Sequence, residues 1–259
     1  MSEVVLVTGV ATGMGAATLD RLTRAGYTVE GCDVVPGEGY ATVDVRDTEA
    51  VEAWVKQVSA RHGRIDAVVT FAAAGLVGAI EETDPTEAAA VFDINVLGTH
   101  RVIRAALPAM RARGRGRVIV VSSGAAAIAE PYGGWYSVTK AAIERLGESL
   151  RLELARFGIS VSILAPGWTV TPIIESSPHV GTPIADYDQD RAAVLDRVRG
   201  YLARGQQAAA VADKTLAVLT AARPRRIYLC GRDVRTSFWT RRLLPDGLYQ
   251  RLVRDYYGL

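Results

Sequence analysis

Ser123, Tyr136 and Lys140 supply a hydroxyl, a phenol and an ammonium, in an order suited to moving a proton to or from an alcohol oxygen. Tyr136 and Lys140 are four residues apart, so on a helix they lie on one face, one above the other. A free phenol titrates near ~10 and is a poor base at neutral pH. A neighbouring cation favours the phenolate and is expected to bring that value down toward a useful range. Taken alone, a Tyr–Lys pair at this spacing is more often helix surface. The chain, however, uses 27 Arg and only three Lys (Lys56, Lys140 and Lys214), which singles the lysine out.

Positioning these groups requires a strand ending near Ser123 and a helix carrying the other two. The apolar run 117–122 reads as the strand, and Gly133-Gly134 breaks the following loop before a helix over 135–156. At the start of the chain, an apolar run at 4–8 enters TGVATGMG, and a helical pattern over 16–25 follows, capped by Gly26. A strand, glycines at 9, 13 and 15 and a helix let the backbone approach a pyrophosphate at a helix N-terminus. The next strand, 28–33, ends on Asp33, whose carboxylate would accept from a ribose 2′-hydroxyl and repel a 2′-phosphate. Thr12 brings no cation to welcome that phosphate, so both residues favour NAD over NADP. The competing use of Asp33 is to begin a turn before Pro36-Gly37.

A third β-like run covers 40–46, Asp47 caps a helix reaching 62, and a strand at 65–71 runs into Ala72-Ala73-Ala74-Gly75. A helix is expected from Pro85 toward Arg113 with Asn95 inside it, where surface tolerance is the plainer reading. A strand at 158–165 leads into Pro166-Gly167-Trp168-Thr169-Val170-Thr171, and a last one lies near 226–231. This alternation predicts an α/β single domain: a doubly wound, Rossmann-type parallel sheet in three layers, binding ligands beyond the strands' carboxyl ends.

The 259 residues carry a net charge of +2, which gives no reason to expect a nucleic-acid partner. Two cysteines imply no disulfide framework, and the early first strand leaves no room for a signal peptide, so a cytoplasmic location is expected. No apolar run reaches the ~18 residues of a membrane span, and no cluster has metal-ligand spacing. Segment 171–207, rich in Pro and Gly at first and helical over 190–202, is expected to cover the substrate as a lid. The stretch 223–259 holds nine Arg, three Asp and many aromatics. Docking on the core or on a neighbouring subunit is the expectation for it; peripheral contact with an anionic membrane also suits that composition.

Taken together, these residues resemble the short-chain dehydrogenase/reductase family over 3–171 and part of the last strand. TGVATGMG is similar to its cofactor loop, Asn95 to its helix asparagine, Ser123 and Tyr136-x-x-x-Lys140 to its catalytic core, and Pro166-Gly167 to its nicotinamide-side turn. The resemblance implies that Tyr136 is the general acid/base and that Ser123 hydrogen-bonds the reacting oxygen. Lys140 would bind the nicotinamide ribose and lower the Tyr136 pKa, and Asn95 would hold a relay water. The implied NAD site comprises Gly9, Thr12, Gly13, Met14, Gly15, Asp33, Asp44, Val45, Ala73, Gly75, Tyr136, Lys140, Pro166, Gly167, Thr169 and Thr171. Within it Asp44 and Val45 receive the adenine, and Thr169 and Thr171 meet the nicotinamide amide and phosphates. Ser123, Trp135, Tyr136 and Trp168 are the implied substrate contacts.

By the same resemblance the reaction interconverts a secondary alcohol and a ketone on a lipophilic substrate (steroid-, retinoid- or cyclic-alcohol-like), without a metal, in a homodimer or homotetramer. Steroid- and retinol-type relatives carry similar tails. Two departures stand out: Ala72 and Ala73 replace asparagines, which could loosen the sheet edge, and Thr169 replaces a branched aliphatic residue. The rival reading is a catalytically silent dinucleotide-binding regulatory or scaffold protein, against which the four intact catalytic positions argue. A dehydratase or epimerase needs a further acid or base, and none is identifiable in the sequence.

Overall fold

The computed structural model describes residues 2–259. Its elements run β1 (Val4–Thr8), α1 (Gly13–Arg24), β2 (Thr28–Asp33), β3 (Ala41–Thr42), α2 (Thr48–His62) and β4 (Ala67–Thr70). Next come α3 (Pro85–Phe92), a π-helical turn (Asp93–Gly98), α4 (Thr99–Arg113), β5 (Gly116–Val121), α5 (Gly134–Leu154) and β6 (Ile159–Pro166). The last third holds α6 (Ile173–Ser176), α7 (Asp188–Ala203), α8 (Ala208–Thr220), β7 (Ile227–Cys230), α9 (Arg232–Leu243) and α10 (Asp246–Tyr257). The seven strands form one parallel sheet in the order β3-β2-β1-β4-β5-β6-β7.

Alternation along the central strands explains why helices cover both faces. Val4, Leu6, Val68, Val118 and Val120 join a cluster with residues of α2, α4 and α5. Their neighbours Val5, Val7, Val69, Ile119 and Val121 join another with Leu22 of α1 and Val211, Val218 and Leu219 of α8. Strands buried on both sides read as continuous apolar runs, which is the signature of a parallel sheet.

Several boundaries differ from the sequence reading for local reasons. The third run shrinks to two paired residues because Asp44 starts a turn, accepting from the Arg46 N–H while its C=O takes the Asp47 N–H. The helix expected from Pro85 begins in a capping box between Asp84 and Glu87, then widens into the π-helical turn around Asn95 before α4 resumes. α1 starts at Gly13, inside the glycine run. Helix α8 carries no signal singled out above, and it packs along α1 and beneath β5 to β7.

Among the described residues no helix is long and apolar enough to cross a membrane, and no group of three or more His, Cys, Asp or Glu is placed to hold a metal. The stretch beyond β7 folds back on the chain. Tyr257 is buried against Val194, Val198 and Leu202 of α7, the Tyr201 ring stacks on Tyr256 at 4.5 Å, and Tyr249 Oη donates to the Ala127 C=O.

Candidate active site

The carboxyl ends of β1, β2, β4, β5 and β6 bring the glycine loop, Asp33, Ala72–Gly75, Ser123 and Pro166–Thr171 to one edge of the sheet. The glycine loop is shaped for close approach. Gly9 (φ +73°) sits so near the chain after β4 that a Cβ would fall 2.7 Å from the Ala72 N, and one on Gly15 would fall 1.8 Å from the Gly9 O. Thr12 precedes α1 in extended conformation without capping its N–H groups, and no acid lies in the first turn. A bare helix start beside a backbone cradle fits a pyrophosphate. Asp33 accepts from the Ala11 N–H at 2.9 Å and the Val35 N–H at 3.0 Å, leaving lone pairs for a ribose. The residues after it, Val34 and Val35, are exposed and uncharged. These features fit the ribose end of a dinucleotide.

Two adenine-side residues have other partners. The Asp44 carboxylate is gripped by the Arg46 guanidinium, whose hydrogen bonds hold it below the usual carboxylate range against a lesser effect of burial. The Val45 side chain is buried in the core, with Gly98 lying against it.

A cleft enclosing about 1140 Å³ of unfilled space, part of it open to solvent, lies over this edge. Its walls include Met14, Gly75, Ser123, Tyr136, Pro166, Gly167, Trp168, Thr169 and Thr171. Thr169 is buried, donating to the Gly167 C=O and accepting from Gln206 Nε2, and the Thr171 methyl abuts Gly13. Tyr136 opens to the cleft floor with Ser123 beside it. Lys140 is buried one turn along α5, its Nζ 5.5 Å from the Tyr136 ring centre and donating to the Val121 C=O at 3.1 Å. Two of its three N–H bonds are left for a ribose.

The expected depression of the phenol by the lysine is not what the site produces. Burial pushes the Tyr136 phenol above its ordinary range and the charge of Glu130 pushes the same way, while Ser123 pulls it down. Burial likewise brings the Lys140 ammonium down to about 8. Desolvation is therefore the leading cause at both groups.

Asn95 also departs from the surface reading. It is 1% exposed, its Oδ1 accepts from the Ala74 N–H at 2.8 Å, and its Nδ2 donates to the Ala74 C=O at 2.8 Å and Thr139 Oγ1 at 2.9 Å. Both amide protons are used, and one lone pair of Oδ1 remains free for a further donor. The alanines after β4 do not loosen the edge. Thr8 Oγ1 takes the Ala72 N–H, Asn95 takes that of Ala74, and Ser177 Oγ takes that of Gly75. Trp135 does not line the cleft; its ring packs with Leu76, Val91 and Val180, and its Nε1 is buried without a partner among the described residues. Trp168 does line it, with Nε1 donating to Tyr256 Oη at 2.7 Å. Glu130, Tyr132, Asp233, Tyr256 and Tyr257 also face the cleft and were not anticipated. For Glu130 the one available signal was a charge in a stretch of small and apolar residues just before the Pro131 turn.

The sequence profile of the family described as short chain dehydrogenase matches residues 3–179. The chain belongs to that family. It is 33% identical over 170 residues to the 3-ketodihydrosphingosine reductase of Bacteroides thetaiotaomicron, covering 64% of this chain and 63% of that one. Over 211 residues it is 34% identical to human 17-beta-hydroxysteroid dehydrogenase type 1, covering 78% and 60%. The chain thus spans about three-fifths of the length of each. A short-chain dehydrogenase from Streptomyces avermitilis superposes with a TM-score of 0.83 at 30% identity, covering 98% of this chain and 96% of that one.

Proposed function

We propose that this short-chain dehydrogenase is an NAD-dependent oxidoreductase interconverting a secondary alcohol and a ketone on a largely apolar substrate. The observation that carries the reading is a cleft-facing phenol on α5 with a hydroxyl beside it and a buried ammonium one turn away. A phenol held above its ordinary pKa is protonated at neutral pH, so Tyr136 donates its Oη proton to the oxygen of a ketone and recovers one from an alcohol in the reverse direction. Ser123 Oγ hydrogen-bonds the same oxygen and fixes its orientation. Lys140 anchors the nicotinamide ribose through the N–H bonds that Val121 leaves free. Hydride exchange with the substrate carbon is the chemistry that bound NAD supplies.

Apolar walls from Ile173, Ile174, Val194 and Leu195 support a lipophilic substrate, as do relatives named for a ketodihydrosphingosine and a hydroxysteroid. The segment 171–207 supplies those four residues and serves as the lid. Free, buried Cys32 and Cys230 suit a reducing, cytoplasmic compartment. Leu97, Val138 and Leu152, exposed on the π-helical turn and α5, favour assembly of like subunits through this face. On α9 and α10, exposed Trp239, Leu243, Leu248 and Leu252 lie among arginines and suit peripheral contact with anionic lipid.

The test is Tyr136→Phe with NAD(H) and a panel of cyclic and steroidal alcohols and ketones. Turnover should fall by roughly 10²-fold or more while NADH binding, read by fluorescence, persists. Near-normal turnover in the variant would refute the assignment. Silence of the native protein across the panel, with NAD bound tightly, favours the regulatory alternative.

A further inference from the structure

The cleft holds an ionisable group that the proton-transfer set does not use. Glu130 lies between Ser123 and Tyr136 in sequence and lines the same cavity. We propose that Glu130 sets the specificity of this cleft by pairing with a protonated amine on the substrate, so that the preferred substrates are amino alcohols or amino ketones rather than plain alcohols. The proposal rests on the alcohol–ketone reading above.

The first argument is charge. Among the described residues the cavity walls carry two carboxylates, Glu130 and Asp233, and no Lys, Arg or His. Asp233 is already engaged, accepting from the Trp168 N–H at 2.6 Å and lying against Gly167 and Gly231. Among the described residues the Glu130 side chain has no hydrogen-bond or ion-pair partner, and burial alone accounts for its carboxyl being pushed up to about 7.

The second argument is that the backbone presents this side chain deliberately. The Glu130 N–H donates to Ser137 Oγ at 3.2 Å and its C=O accepts from the Gly133 N–H at 3.2 Å. Pro131 follows, and then Tyr132 at φ +58°, a left-handed conformation that side chains other than glycine rarely adopt; its C=O accepts from the Gly78 N–H. A turn fixed at both ends thus holds this carboxylate at a cavity whose other walls include Leu76, Ile128, Val194 and Val198.

An unpaired carboxylate in such surroundings is costly, and a ligand cation offsets that cost. A hydroxyl would satisfy one oxygen and leave the charge. An anionic substrate would meet two like charges and no counter-ion. The charge of Glu130 pushes up the phenols of Tyr136, Tyr256 and Tyr257, so it acts on both the reacting phenol and the α10 wall.

The experiment compares the full chain with Glu130→Gln and Glu130→Leu. No hydrogen bond among the described residues uses this side chain, so both variants should fold, with thermal unfolding unchanged or raised. Binding of cyclohexylammonium and of cyclohexanol is measured by calorimetry with NAD present. Turnover is measured for 2-, 3- and 4-aminocyclohexanol against the matching methylcyclohexanols. The native protein should bind cyclohexylammonium more tightly than cyclohexanol and favour at least one amino alcohol in kcat/KM by roughly tenfold. Both variants should lose that preference, the ratio of kcat/KM for the amino compounds to that for the methyl compounds falling to about one. Methylcyclohexanol turnover without any preference for the amine, or a preference that survives in both variants, overturns the inference alone. Glu130-dependent binding of cyclohexylammonium with no ring alcohol turned over would count against the oxidoreductase reading and, with it, the amino-alcohol substrate class, leaving Glu130 as an amine-binding group alone.

Discussion

Replacing Asn95 by Ala should cost this fold far more than a polar residue inside a helix normally does. The substitution removes three hydrogen bonds of 2.8, 2.8 and 2.9 Å from a side chain that is 1% exposed. At about 1 kcal/mol each the direct loss is ~3 kcal/mol, and any partner left dry adds to it. Alanine returns about 0.5 kcal/mol of helix preference. A net loss of ~2–3 kcal/mol follows, or a fall in Tm of roughly 5–10 °C for a chain of this size. Urea unfolding measures the total, and a double-mutant cycle with Thr139→Val isolates one bond. Thr139 is fully buried and also donates to the Tyr136 C=O, so it links the π-helical turn to α5. The cycle should give a coupling of about 1 kcal/mol. A coupling near zero, with Asn95→Ala unfolding at the native urea midpoint, would show that water replaces these bonds freely and that the turn does not brace the site.

Two further substitutions probe the cofactor edge and the acid limit. Asp33→Ala should weaken NAD by roughly tenfold or more while sparing NADP, and Asp33→Arg should reverse the preference; an NADH/NADPH fluorescence titration with unchanged selectivity would exclude Asp33 from the ribose site. Asp66 is buried, which pushes its carboxyl up, yet hydrogen bonds from Arg64 and the Val4 N–H and the charges of Arg64 and Arg113 hold it below its usual value. Its folded pKa is thus depressed, so its contribution is complete above the unfolded value near ~4 and is lost as pH falls through the folded one. Asp66→Asn should flatten that acid limb of stability in denaturation curves recorded between neutral pH and acid, and an unchanged limb would assign it to other carboxylates.

How much was legible in the sequence follows from how local each signal is. Val4–Thr8 is a strand over the run anticipated, because five apolar residues before a glycine turn have little else to become. The glycine loop and the Tyr136–Lys140 spacing are likewise local patterns. The π-helical turn was not legible, since the apolar period runs through Asn95 with no sign of the widened turn. The direction in which Tyr136 shifts was not legible either. It depends on how dry the phenol is and on a carboxylate six residues earlier that the loop folds toward it. Trp135 was expected to line an apolar substrate pocket with Trp168, but neighbours on a helix point about 100° apart, so it does not follow Tyr136 into the cleft, and its ring belongs to a separate apolar cluster. Tyr257 reaches the cleft only through the long return of α10, which no spacing in the sequence encodes.

The cleft divides its labour between two parts of the chain. The groups proposed to exchange a proton and to cradle the dinucleotide ride on the sheet and α5, whereas much of the enclosure comes from α6, α7 and α10, joined to it by loops. Evolution or a protein engineer can therefore re-tailor the enclosure through insertions and swaps in those three helices without disturbing the reacting geometry. A library confined to them is the natural place to look for altered substrate range with undiminished turnover.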